Sequence, residues 1–69
     1  MEKGMMNRYY LRLEWMIRRA YAQLCAEKDP GKITVTELAQ RADIHRSTFY
    51  RHYPDLDALS RAMQEENMV

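Results

Sequence analysis

The stretch Ile44–Tyr53 concentrates Arg46, Ser47, Thr48, Tyr50, Arg51 and His52 in a few turns of chain. Guanidinium forks, small hydroxyls, a phenol and an imidazole at this density are groups that pair with phosphate oxygens and with the exposed edges of bases. An arginine fork matches the two acceptors on a guanine edge, and a threonine offers both a hydroxyl and a methyl. No acid pair, glycine-rich phosphate loop or activated nucleophile accompanies them, so the chemistry is recognition rather than catalysis.

On a helix advancing about 100° per residue, Phe49 and Tyr53 fall within about 40° of each other and are the inward anchors. Ser47 and Arg51 then point roughly the opposite way, flanked by Thr48 and Tyr50, with Arg46 at the leading end. A solvated surface accounts for each of these residues singly but leaves the exposed aromatic Tyr50 unexplained. From Arg41 to Arg51 there are three arginines and His45 against the single acid Asp43, while Asp55, Asp57, Glu65 and Glu66 follow later. The formal net charge of +1 is therefore unevenly spread, and the positive part coincides with this helix.

Such a helix needs a scaffold. From Asn7 to Glu27 there is no proline or glycine, and Leu13, Ile17, Ala20, Tyr21 and Leu24 recur at spacings of three and four, which predicts one long amphipathic helix with Asn7 as a candidate cap. Arg12, Arg18, Arg19 and Gln23 fall on its polar side. Lys28-Asp29-Pro30-Gly31 stops it. Thr34 three residues before Glu37 predicts a capping box opening a second helix, with Thr34 accepting from the Glu37 amide and the Glu37 carboxylate reaching back. Ile33 is placed to staple onto Leu38. Asp43-Ile44-His45 is a tight corner in which aspartate tolerates left-handed backbone angles and Ile44 is the apolar plug. The third helix spans Arg46 to His52. Pro54 ends it, Asp55 caps a fourth, and Leu56, Leu59 and Met63 give that fourth helix its apolar side. The expected fold class is all-α: a three-helix helix-turn-helix bundle with the start of a fourth helix, and a reading segment at about 45–52.

At 69 residues the chain is one small domain, of a size that buries only about 60% of the surface its unfolded form exposes. Cys25 is the only cysteine and sits in a helical pattern, so no disulfide framework exists and a reduced core thiol is expected. No apolar run approaches the ~18 residues of a bilayer span and the start lacks a secretion-signal core. A soluble cytoplasmic protein follows, with no membrane partner. The extra methionines Met5 and Met6 carry no structural weight.

A braced short helix, a three-residue corner and a second short helix with a basic, aromatic-bearing outer face together form the arrangement that inserts a helix into the major groove of double-stranded DNA. At this level of detail the chain resembles the TetR/AcrR-type transcriptional repressors of bacteria. Ile33-Thr34-Val35-Thr36-Glu37-Leu38-Ala39, Ala42-Asp43-Ile44 and Ser47-Thr48-Phe49-Tyr50-Arg51-His52-Tyr53 are similar to that family's N-terminal domain, over about Ile17 to Leu59. The resemblance implies that Thr48 and Tyr50 hold phosphate or the adjoining base step, with Thr34 and Thr36 near the backbone at the start of helix two. It further implies that Arg46, Ser47 and Arg51 occupy the base-reading positions and that His52 lies near a phosphate. Two positions depart from the family pattern: Asp43 stands where glycine is usual, and Leu56 where a lysine often begins helix four.

The same resemblance implies a regulator that represses by occupying an operator, as a homodimer in its full-length form, without a cofactor. Residues 1–69 are expected to hold only the DNA-binding module. The larger C-terminal domain that joins subunits and binds a small-molecule effector would be absent, and no useful ligand pocket would form. Dimerisation through a Met63 and Met68 surface is the other route. The reading from a different class is a helical protein-interaction module that keeps the fold without binding DNA, motivated by Leu56 and the acids beside it.

Three further groupings are weaker. His45 and His52 lie seven apart, but no third ligand stands near them, so a chance pair explains them better than a metal site. Tyr9, Tyr10, Trp15 and Met16 form either a partner surface or, more simply, the outer edge of the core. Lys3, Arg8 and Arg12 could trail into a minor groove, although solubilising charge accounts for them slightly better.

Overall fold

A computed structural model describes residues 8–67; the candidate cap Asn7, Lys3 of the candidate arm and Met68 lie outside the described residues. Within them the chain is all-helical: α1 (Arg8–Glu27), a 3-10 turn (Pro30–Lys32), α2 (Val35–Ala42), α3 (Arg46–His52) and α4 (Leu56–Asn67). The three-helix arrangement followed by a fourth helix is the one the apolar spacing predicts. The 3-10 turn is an addition: Asp29 Oδ1 accepts from the Gly31 amide and Pro30 starts the turn, a conformation too short to leave a periodic signal.

The core is built from the predicted stripe. Ile17, Ala20, Tyr21 and Leu24 of α1 meet Ile33 and Leu38 at the entrance of α2, Ala42 at its exit, Phe49 and Tyr53 around α3, and Leu59 of α4. Phe49, Ile17, Leu24, Leu38 and Leu59 are fully buried, each stabilising the fold by roughly 1.5–3 kcal/mol. Leu13 is only half-buried. Cys25 also lies at the core's rim rather than its centre. Burial pushes the Tyr21 phenol above its ordinary pKa.

Fully buried positions of α1 begin at Ile17, so its first half carries exposed aromatics, including Tyr9 and Trp15 at 71% and 58%. Arg19 lies over the Trp15 ring at 5.1 Å, a cation–π contact on an open surface. At the other end, Arg41 grips Glu27 with both fork nitrogens, each at 2.8 Å, locking the exit of α2 to the exit of α1. Among the described residues no helix is long and apolar enough to cross a membrane.

Candidate nucleic-acid interface

The site begins with the cap of α2. Thr34 is extended and its Oγ1 accepts from the Glu37 amide at 3.1 Å, which satisfies one of the orphan donors of the first turn. The predicted return contact is replaced. Glu37 Oε2 instead takes Lys28 Nζ at 2.6 Å, because a charge-assisted bond across the α1–α2 corner outcompetes a neutral amide donor.

At the far end of α2, Asp43 adopts φ 62° and ψ 45°, the left-handed conformation expected of the corner. Its amide donates to Gln40, and the Ile44 amide donates to the Ala39 carbonyl at 2.9 Å, so the last carbonyls of α2 are satisfied by a Schellman-type closure. Ile44 packs against the core. The corner thus turns the chain within three residues and launches α3 at a set angle from α2.

Phe49 and Tyr53 point inward, at 0% and 6% exposure. The opposite side of α3 presents Ser47 and Arg51, both exposed, and among the described residues neither side chain has a hydrogen bond or ion pair. Tyr50 is half-exposed at 51% and rests its ring edge-on against Phe49, with centroids 5.4 Å apart, so its phenol is held outward by a rigid stem. Arg46 is exposed and its Nη1 donates to Thr36 Oγ1 at 3.4 Å, bringing the start of α3 beside the start of α2, where exposed Thr34 also lies. Thr48 is half-buried and lines an open groove of about 430 Å³ with His45 and Ile44 on one side and Tyr9, Arg12 and Met16 of α1 on the other.

Seven of the eight predicted residues are therefore on or beside one face: Thr34, Thr36, Arg46, Ser47, Thr48, Tyr50 and Arg51. His52 is not among them. Its side chain is 2% exposed and turns toward α1, with Nδ1 3.4 Å from Glu14 Oε2 and its ring stacked on Tyr10 at 4.1 Å between centroids. The next residue does likewise: Arg18 Nε donates to the Tyr53 hydroxyl at 3.0 Å. Tyr10, Glu14 and Arg18 are spaced by four along α1 and so share one face. By spacing alone Arg18 belongs with the solvated side of α1, and Glu14 shows only its place four residues from both Tyr10 and Arg18; nothing local joins it to His52.

The electrostatics are narrower than the linear charge count implies. Arg41 is committed to Glu27: its hydrogen bonds hold the Glu27 carboxyl below the usual range, and Glu27 in turn raises the Arg41 guanidinium. The outward cations of α3 are Arg46 and Arg51, with Arg12 across the groove. The acids after α3 are occupied as well: Asp55 Oδ1 accepts from the Ala58 amide at 2.8 Å, and Asp57 pairs with Arg61 at 2.9 Å. Leu56, where the resemblance expects lysine, packs half-buried against the core. His45 lines the groove while His52 faces Glu14, so the two imidazoles serve separate surroundings.

A short helix with an apolar rear, a polar front and a second helix bracing its leading end is suited to lie in a major groove. The chain matches a family model described as bacterial regulatory proteins, tetR family, over residues 17–63, which is more than half of its length. No solved structure matches it.

Proposed function

This chain belongs to the tetR family of bacterial regulatory proteins, and on that premise we propose that it is the sequence-specific DNA-binding module of a cytoplasmic transcriptional repressor. The observation that carries the reading is the front of α3, where Arg46, Ser47, Tyr50 and Arg51 stand exposed over the buried anchors Phe49 and Tyr53. In this proposal Arg46, Ser47 and Arg51 read base edges, and Thr48 and Tyr50 hold phosphate or the adjoining base step. Thr34 and Thr36 approach the backbone from the start of α2. His52 acts from behind the helix.

The module works by binding alone, without a cofactor or a catalytic step. Two copies occupy the halves of a palindromic operator, because one copy neutralises few phosphates and holds a half-site weakly. A small-molecule effector enters only if a C-terminal domain follows α4.

Anisotropy titration of the 69-residue chain on a pool of random duplexes at two salt concentrations, with sequencing of the retained DNA, tests the proposal. An enriched palindrome whose affinity falls steeply as salt rises supports it, since each neutralised phosphate contributes about 0.9 to the log–log slope. Salt-insensitive capture of a protein with no enrichment of any duplex overturns it in favour of a protein-interaction module.

A further inference from the structure

The rear of α3 is held by polar groups at the end away from its leading turn. His52 meets Glu14 at 3.4 Å and Tyr10 by ring stacking, and Tyr53 receives the Arg18 guanidinium at 3.0 Å. All three α1 residues lie on one face, spaced by four. The leading end of α3 is fixed differently, by the Asp43 corner and the Ile44 plug. Because α3 has only seven residues, fixing both ends determines its orientation as a rigid rod. Phe49 alone, an apolar side chain in a well-packed site, restrains depth better than it restrains rotation, since apolar contact is non-directional.

We propose that Glu14 is a positioning residue for DNA recognition: by holding the His52 imidazole against α1, it sets the angle at which α3 presents Ser47 and Arg51. The inference rests on α3 being the reading helix and adds a residue of α1 that never touches DNA. It also reverses an ordinary electrostatic expectation. Glu14 is an acid on a module that binds a polyanion, so removing its charge should by general electrostatics strengthen binding. If Glu14 positions α3, removing it weakens binding instead, because only a fraction of molecules then hold the competent orientation and the apparent affinity falls by that fraction.

The experiment pairs Glu14→Ala with Glu14→Gln, whose amide oxygen still accepts from Nδ1. Expected for Glu14→Ala is a loss of operator affinity of about tenfold, an unchanged salt slope, and substantial recovery in Glu14→Gln. Increased affinity in Glu14→Ala would overturn the proposal. A second pair asks which imidazole nitrogen matters: His52→Asn places its amide near Nδ1 and His52→Gln near Nε2. Retention in Asn and loss in Gln supports a contact toward Glu14. The reverse order, with the slope lowered by about 0.9, means that His52 holds phosphate from Nε2 and overturns the proposal.

A readout without DNA keeps this separate from the functional reading. In the free protein the backbone amide resonances of Ser47 and Thr48, more than a turn from His52, are expected to shift in His52→Gln and to return toward wild type in His52→Asn, with helix content unchanged by circular dichroism. Resonances of Ser47 and Thr48 that stay fixed in both variants overturn the positioning role, even if the wild-type chain proves to bind no duplex at all.

Discussion

Arg46 Nη1 donates to Thr36 Oγ1 at 3.4 Å, so the first residue of α3 leans on the second residue of α2. The contact is long and exposed, and a bond of that kind contributes at most about 1 kcal/mol net. Arg46 is therefore kept near its working position without being committed to it. Ser47 and Arg51 lack even that tether. The rigid part of the interface is behind it, in Phe49, Tyr53 and the Asp43 corner, and the adaptable part is in front.

That division predicts two kinds of loss. Arg51→Ala should relax the base preference at one operator position, costing about 1–3 kcal/mol of discrimination there. Thr48→Ala should weaken binding about evenly across sequences, because a hydroxyl on phosphate carries no sequence information. Affinity profiles over a set of single-base operator variants distinguish them. An even loss in both would remove Arg51 from the reading positions.

Asp43 offers a stability test. At φ 62° a side chain is tolerated at some cost, less for aspartate than for other residues and least for glycine. Asp43→Gly should raise stability by a few tenths to about 1 kcal/mol, whereas the β-branched Asp43→Val should lower it by about 1–2 kcal/mol. Urea denaturation midpoints of the three proteins report the order directly. Equal midpoints for Gly and Val would mean that the corner relaxes out of the left-handed region.

Those features were legible because they are local. Thr34 three before Glu37, Asp43 at a three-residue corner, and Phe49 four before Tyr53 each leave a short-range pattern, and the cap, the turn and the inward anchors follow from it. What was hidden depends on pairs far apart in the chain. His52 and Glu14 are 38 residues apart and Tyr53 and Arg18 are 35 apart, and no spacing rule joins them. The same limit applies to charge: Arg41 counts toward the basic stretch in sequence, yet it is turned onto Glu27. Glu37 looked committed to its own helix start until Lys28 came within reach.

The Arg41–Glu27 pair gives a pH dependence with a definite sign. The folded-state pKa of Glu27 lies below its ordinary value, chiefly because Arg41 hydrogen-bonds the ionised form. Stability from this pair is therefore present above the unfolded carboxylate pKa and is lost as pH falls through the depressed folded value. Glu27→Gln should be less stable than wild type at neutral pH, and the gap should close on acidification. Both groups are exposed, so the effect should be modest and should shrink in high salt. Thermal melts of the two proteins across the acid range measure it; a gap independent of pH would mean that Glu27 acts through packing instead.

Leu56 tests how far the interface extends toward α4. The side chain packs half-buried against the core at the first residue of that helix, at the position where the resemblance expects a lysine reaching phosphate. Asp55 is occupied in capping Ala58 and Asp57 in pairing with Arg61, so no cation at the start of α4 faces outward to do that work. Leu56→Lys restores the charge, and a lysine stem can lie along the apolar surface that Leu56 now covers while its ammonium reaches solvent. If the start of α4 lies against the DNA backbone, the variant should bind more tightly at low salt and its salt slope should steepen by about 0.9. The lost apolar packing should cost on the order of 1 kcal/mol in stability, so folding must be monitored alongside binding. A folded variant with an unchanged slope would place the start of α4 away from the duplex and confine the interface to α2 and α3.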